Sequence, residues 1–191
     1  MDPGNCYRTS TTKFLRSIFV HDRVKQTVSI VFLYVPTSVI IVIDQFTKHL
    51  ASSYLDWIPD KILPFFSLTL ACNTGAAFSM FKGAGGILLW IGIAFSLFFI
   101  YQIYRSRSGR LVEFAGYSCI LAGAVGNVID RLFRGCVIDF LHFHAGSPGE
   151  FGGYPYNFPI FNVADTAITV GFILIIWVLF TNARREKPEL E

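Results

Sequence analysis

The residues best suited to chemistry in this chain are aspartates at the ends of apolar segments. They occur in Gly123-Ala-Val-Gly-Asn127-Val-Ile-Asp130-Arg131, Val137-Ile-Asp139-Phe140 and Phe161-Asn162-Val-Ala-Asp165-Thr166. A carboxylate beside lipid is costly, so such a cluster calls for a physical reason. Two carboxyls that share a proton divide into a charged and a neutral form, and such a pair can hydrolyse a peptide. One activates water while the other protonates the leaving group. That chemistry is open to Asp139 and Asp165 if they meet in space, with Asp139, in a loop beside Phe140, the readier to hold the proton.

Other chemistries fit less well. No His-Glu-x-x-His occurs, and His142 and His144, two apart in an expected loop, read as ordinary surface histidines. Gly-x-Ser-x-Gly is also absent, and no serine stands at a persuasive spacing for a Ser/Lys dyad with Lys48. The four cysteines, Cys6, Cys72, Cys119 and Cys136, form no Cys-x-x-Cys pair and no metal-ligand spacing. Neither a zinc site nor a redox motif is signalled.

The elements that must carry the aspartates follow from composition. At 191 residues, 53% hydrophobic and 15% charged, with mean hydropathy +0.51, the chain is an all-α polytopic membrane protein rather than a soluble domain. Apolar runs, charged only toward their ends, predict four transmembrane helices over about 28–49, 83–104, 111–133 and 162–181, each near the ~20 residues that cross a bilayer. Between the first two, Phe65 to Cys72 alternates and is β-prone, which predicts a small extracytoplasmic β element on the membrane surface. It ends in Asn73-Thr-Gly75, where Gly75 permits a tight turn and Asn73 offers both donor and acceptor. Asp44 and Lys48, at i and i+4, read as an ion pair at the end of the first helix. Asn127, Asp130 and Arg131 project to one side of the third helix, Gly123 one turn earlier allows close helix approach, and Gly135 suits its end. Residues 134–161 form a long outer loop, and Asn162 caps the fourth helix.

Charge sets the orientation. Eleven of the lysines and arginines fall in the arm 1–27, the 105–110 loop and the tail 182–191, against five on the other side. Both termini are therefore expected in the cytoplasm, and the polar cluster at the outer face. The basic residues follow span ends instead of lining one polar face, so no nucleic-acid partner is expected. Span centres lack charge, which disfavours a transporter. Cys72 and Cys136 fall on the oxidising face, where a disulfide is open to them. Their apolar neighbours suit buried thiols, and unpaired thiols are expected.

Taken in order, Asp44-Gln-Phe-Thr-Lys48, Asn73-Thr-Gly-Ala-Ala-Phe78, Gly123 to Arg131, Gly135-Cys-Val-Ile-Asp139-Phe140 and Phe161 to Ile168 closely resemble the motifs of the bacterial lipoprotein signal peptidases, signal peptidase II. The likeness spans roughly Val28 to Thr181, and five ordered motifs make it specific. It implies a four-helix inner-membrane aspartyl peptidase, free of metal and cofactor, that cleaves a diacylglyceryl-modified prolipoprotein just before the lipidated cysteine. The resemblance carries the catalytic role onto Asp139 and Asp165, and supporting roles onto Asp44, Lys48, Asn73, Asn127, Arg131 and Asn162, beside Gly75 of the same Asn73 motif. It further implies inhibition by cyclic peptides of the globomycin type. Membrane lipids are expected neighbours and a monomer the expected state. Ala122 departs from the family's usual Gly-Gly pair, and the basic arm 1–27 is longer than is common. Asp130 is expected to be structural. The rival reading is a non-catalytic scaffold or chaperone in which these polar residues only cap and join helices.

Overall fold

The computed structural model describes residues 31, 34–75, 85–106, 110–146 and 155–185. The basic arm 1–27, the beginnings of the first two expected spans, the middle of the 105–110 loop, the segment 147–154 and the end of the tail lie outside them.

The first helix, α1, is described over residues 34–54, continuing past the expected end at 49. Strands β1 (Asp60–Leu63) and β2 (Phe66–Asn73) follow, then α2 (Gly85–Arg105), α3 (Leu111–Arg134), β3 (Val137–Ala145), β4 (Tyr156–Asn157) and α4 (Val163–Arg185). Three of the described helices are long and apolar enough to cross a membrane, over Gly86–Arg105, Leu111–Arg134 and Val163–Ala183. Trp90, Leu97, Ile173, Trp177 and Phe180 lie exposed on α2 and α4, as lipid-facing side chains do.

What holds the helices together is small residues as much as large ones. α3 and α4 make the closest pair: a side chain at Gly123 would run into the Ala164 carbonyl and Ile168, and one at Gly171 into Gly116 and Ile120. Backbones so near each other gain dispersion contacts that lipid cannot supply. Phe99 and Ile103 of α2 pack on Phe114, Ile120 and Leu121 of α3. Ala122, the departure from the family pattern, is fully buried in this layer. Gly135 closes α3 in the left-handed conformation, at φ 77°.

The sheet corrects the sequence reading. β1 and β2 arise where a β element is expected, but the four-stranded order β1-β2-β3-β4 is completed from residues expected in the outer loop. Val137–Ala145 is a strand because its pairing partner, β2, lies antiparallel alongside it, with Ala71 opposite Asp139 and Asn73 opposite Val137. Ala51, Cys136, Ile138 and Phe140 form a second small core beneath this sheet. His142 and His144 are corrected too: both are buried, bonded to Thr69 and Ser67 of β2. The expectation of unpaired thiols is also overturned. Antiparallel pairing brings Cys72 and Cys136 to 5.5 Å between Cα atoms, and they form a disulfide.

Candidate active site

Asp139 stands on β3 and Asp165 in the first turn of α4, and three asparagine amides link them. Asn162 donates from Nδ2 to Asp139 Oδ1 at 2.6 Å, while its own Oδ1 accepts the Asp165 backbone N–H at 2.9 Å, which is the expected helix cap. Asn73 donates to Asp139 Oδ2 at 3.0 Å, and its carbonyl oxygen accepts the Gly75 N–H at 3.0 Å. Asn127 donates to Asp165 Oδ1 at 2.8 Å, its oxygen held by Lys48 at 2.9 Å. Each amide oxygen thus faces a donor, which turns its NH2 group toward a carboxyl. The orientation follows from hydrogen bonding rather than from choice of rotamer.

Behind this layer lies a buried ionic cluster. Asp44 and Lys48 are fully buried, and the Lys48 ammonium meets Asp44 at 2.9 Å and Asp130 at 3.0 Å as well as Asn127. Its ammonium thus meets three acceptors, which ties α1 to α3. The simple end-of-helix pair expected for Asp44 and Lys48 is therefore only part of their role. Asp44 also accepts the Ala164 N–H at 2.9 Å, capping α4 from α1. Gly126 is required here, since a side chain on it would meet the Asp44 carboxylate. Asp130 binds Arg134 and accepts the Ile138 N–H at 3.0 Å, anchoring the start of β3. Gln45 and Arg134, which the sequence reading passed over, complete this cluster, Gln45 reaching Asp130 at 3.2 Å and Arg134 reaching Gln45 at 2.9 Å. For Arg134 the i+4 spacing from Asp130 was the available signal, whereas Gln45, next to Asp44 in the chain, offered none.

A cleft of about 1000 Å³ opens beside the carboxyls. Asn73, Gly75, Asn127, Arg131, Asp139 and Asp165 line it, and Asp44, Lys48 and Asn162 stand behind them. Arg131 donates to the Gly75 carbonyl at 3.2 Å, fixing the turn after β2. Phe158, Ile160, Ile168 and Val170 give the cleft an apolar wall, and His142 and Asn157, bonded to each other at 3.1 Å, a polar end. All nine residues singled out in the sequence converge in one region.

Asp139 is almost wholly buried, and its carboxyl is pushed up from 3.8 to about 7. Burial is the main cause and the negative charge of Asp165 the next, while the amides of Asn73 and Asn162 and the Lys48 charge pull the other way. A carboxyl so placed holds a proton near neutral pH beside a second carboxyl, which is the condition for acid–base work. Among the described residues no group of three or more His, Cys, Asp or Glu could hold a metal ion.

Apolar helices with exposed hydrophobic faces, and a carboxyl-lined cleft at the end of one of them, define an integral membrane protein with a polar cleft at the helix ends. The family model for signal peptidase (SPase) II matches residues 37–181. The chain belongs to the signal peptidase II family and is a protease. It is 41% identical over 141 residues to the lipoprotein signal peptidase of Acinetobacter baylyi, covering 71% of this chain and 74% of that one. It is 42% identical over 142 residues to the lipoprotein signal peptidase of Cupriavidus taiwanensis, covering 72% and 76%. A bacterial membrane enzyme solved by the in meso method at 2.3 Å superposes with a TM-score of 0.69 at 30% identity, over 85% of this chain and 94% of that one.

Proposed function

We propose that this protease is an aspartyl endopeptidase that uses Asp139 and Asp165 to cleave diacylglyceryl-modified prolipoproteins before the lipidated cysteine. Removal of the signal peptide from prolipoproteins follows from the family. The observation that carries the aspartyl mechanism is the pairing of the two carboxyls, through Asn162 and Asn127, in one cleft wall.

In this reading Asp165, as carboxylate, takes a proton from a water in the cleft, and the resulting hydroxide attacks the scissile carbonyl carbon. Asp139, as carboxylic acid, protonates the departing amine as the C–N bond breaks, and one proton then passes between the acids to restore the pair. Arg131, Asn73 and Gly75 border the position of the carbonyl oxygen. The apolar wall of Phe158, Ile160, Ile168 and Val170 receives the hydrophobic signal peptide, with membrane lipids beside it.

The same reading makes α1 the fourth span, beginning near residue 28, and divides the chain into a cytoplasmic arm 1–27, a membrane peptidase domain 28–181 and a cytoplasmic tail 182–191. It makes the protein a monomer of the cell inner membrane, open to globomycin-type inhibitors, with its site at the outer face. Two observations support that orientation: the bias of basic residues toward the arm, the 105–110 loop and the tail, and a disulfide adjoining Asn73, as an oxidising compartment permits.

The test is direct. Purified protein should convert a lipidated precursor to signal peptide and lipidated product, and Asp165→Asn should abolish this while still binding precursor. Near-normal turnover by that variant would end the two-aspartate mechanism. A reporter fused within 147–154 should be exported; a cytoplasmic reporter would overturn the orientation.

A further inference from the structure

The disulfide has no part in the chemistry above, yet it sits one residue from a group that does. β2 and β3 lose register between Leu68 and Ala71, and only three pairs follow the irregularity: Ala71 with Asp139, Cys72 with Ile138 and Asn73 with Val137. This short stretch is the end of β2, where a ladder is weakest, and it carries the amide that donates to Asp139 Oδ2. Cys72 and Asn73, as successive strand residues, point to opposite faces. The bond from Cys72, which borders the cleft, to Cys136 fastens the strand end beside Asn73, whose amide faces the carboxyl. Cys136 in turn follows Gly135, the cap of α3, so the crosslink ties β2 to the helix that bears Asn127 and Arg131. The Arg131 bond to the Gly75 carbonyl holds the same turn from the other side.

We propose that the Cys72–Cys136 disulfide is a positioning crosslink for the site, holding the end of β2 so that Asn73 donates to Asp139, and that turnover therefore depends on the thiol redox state at this face. This rests on the assignment of Asp139 as the acid. The groups that act on Asp139 are Asp165 from α4, Lys48 from α1 and Arg131 from α3, with Asn73 and Asn162 as its direct donors. Of these, Asn73 is the one at the end of β2. Its amide favours the charged form of Asp139, so loosening it lets Asp139 keep its proton to higher pH.

The experiment compares the oxidised full-length enzyme, the same enzyme reduced with a phosphine, and the Cys72→Ala/Cys136→Ala double variant, with thiol state verified by alkylation and mass. Precursor cleavage is measured between pH 5 and 9, at a temperature where all forms remain folded by their melting curves. Reduction should lower kcat about tenfold, the loss expected when the charge that develops on Asp139 as its proton leaves is short of one hydrogen bond. It should change KM less than about twofold and move the alkaline limb of the profile upward. The double variant should match the reduced enzyme and ignore reductant. Asn73→Ala, with its disulfide intact, should show the same displaced limb and respond little further to reduction, because both changes act on one contact. A fully reduced enzyme with unchanged kcat and pH profile would refute the proposal, as would equal and additive losses from Asn73→Ala and reduction. Failure of the underlying assignment is separately visible: Asp139→Asn would then turn over in the oxidised enzyme.

Discussion

Asp139→Asn should be inactive and yet, relative to the native enzyme, increasingly stable as pH rises. Burial and the neighbouring Asp165 charge lift the Asp139 carboxyl from 3.8 to about 7 in the folded protein. Between those values the unfolded chain has released its proton and the folded chain has not, so stability falls as pH climbs toward 7 and levels off above it. Comparing pH 5 with pH 8, the difference is about 2.6 kcal/mol, from nearly two pH units at 1.36 kcal/mol each. Asn carries no such charge. It does lose something else, because Asn73 and Asn162 both present NH2 groups to residue 139. One of them would face the new amide NH2, at a cost of about 1–3 kcal/mol that does not vary with pH. The melting temperature of Asp139→Asn minus that of the native protein should therefore rise by roughly 5–10 °C between pH 5 and pH 8, taking ~2–4 °C per kcal/mol at this size. Differential scanning fluorimetry in detergent at both pH values, alongside precursor cleavage, measures both halves. A melting difference that does not change with pH, or detectable turnover by the variant, would refute the reasoning.

The Asp139→Asn/Asp165→Asn double variant should be scarcely slower than either single one, since either loss already removes the acid or the base; single-turnover cleavage measures it, and additive losses would contradict the paired mechanism. Asp130→Asn removes a charge that Lys48 and Arg134 both contact, and should cost about 3–5 kcal/mol of stability while leaving detectable cleavage. Folded but inactive Asp130→Asn would instead bring Asp130 into the chemistry. Gly123→Val would drive a side chain into the Ala164 carbonyl and Ile168, and should lower stability by about 1–3 kcal/mol with a parallel loss of folded yield, measured by size-exclusion profile and melting curve.

The residues that meet in the candidate site were legible in the sequence because they stand out by type in local order. Asp139, Asp165 and their asparagines occupy short motifs at span ends, and the cost of burying polar groups beside lipid forces such residues to meet one another. The helices over 85–105, 111–134 and 163–185 were likewise legible, since length and uninterrupted apolarity alone separate a span from its surroundings. What only the tertiary structure decided was pairing between distant segments. Val137–Ala145 lies in a region rich in Gly, Pro and aromatics, and nothing local says that β2, more than 60 residues earlier, lies alongside it. That one pairing makes a strand of an expected loop, buries His142 and His144, closes the Cys72–Cys136 bond and turns the Asn73 amide onto Asp139. Lys48 is a similar case. Its i,i+4 spacing to Asp44 is a property of one helix, whereas its contacts with Asp130 and Asn127 exist because Gly126 lets the Asp44 carboxylate lie against α3. Sequence order specifies which groups are available; close packing and strand register decide which of them touch.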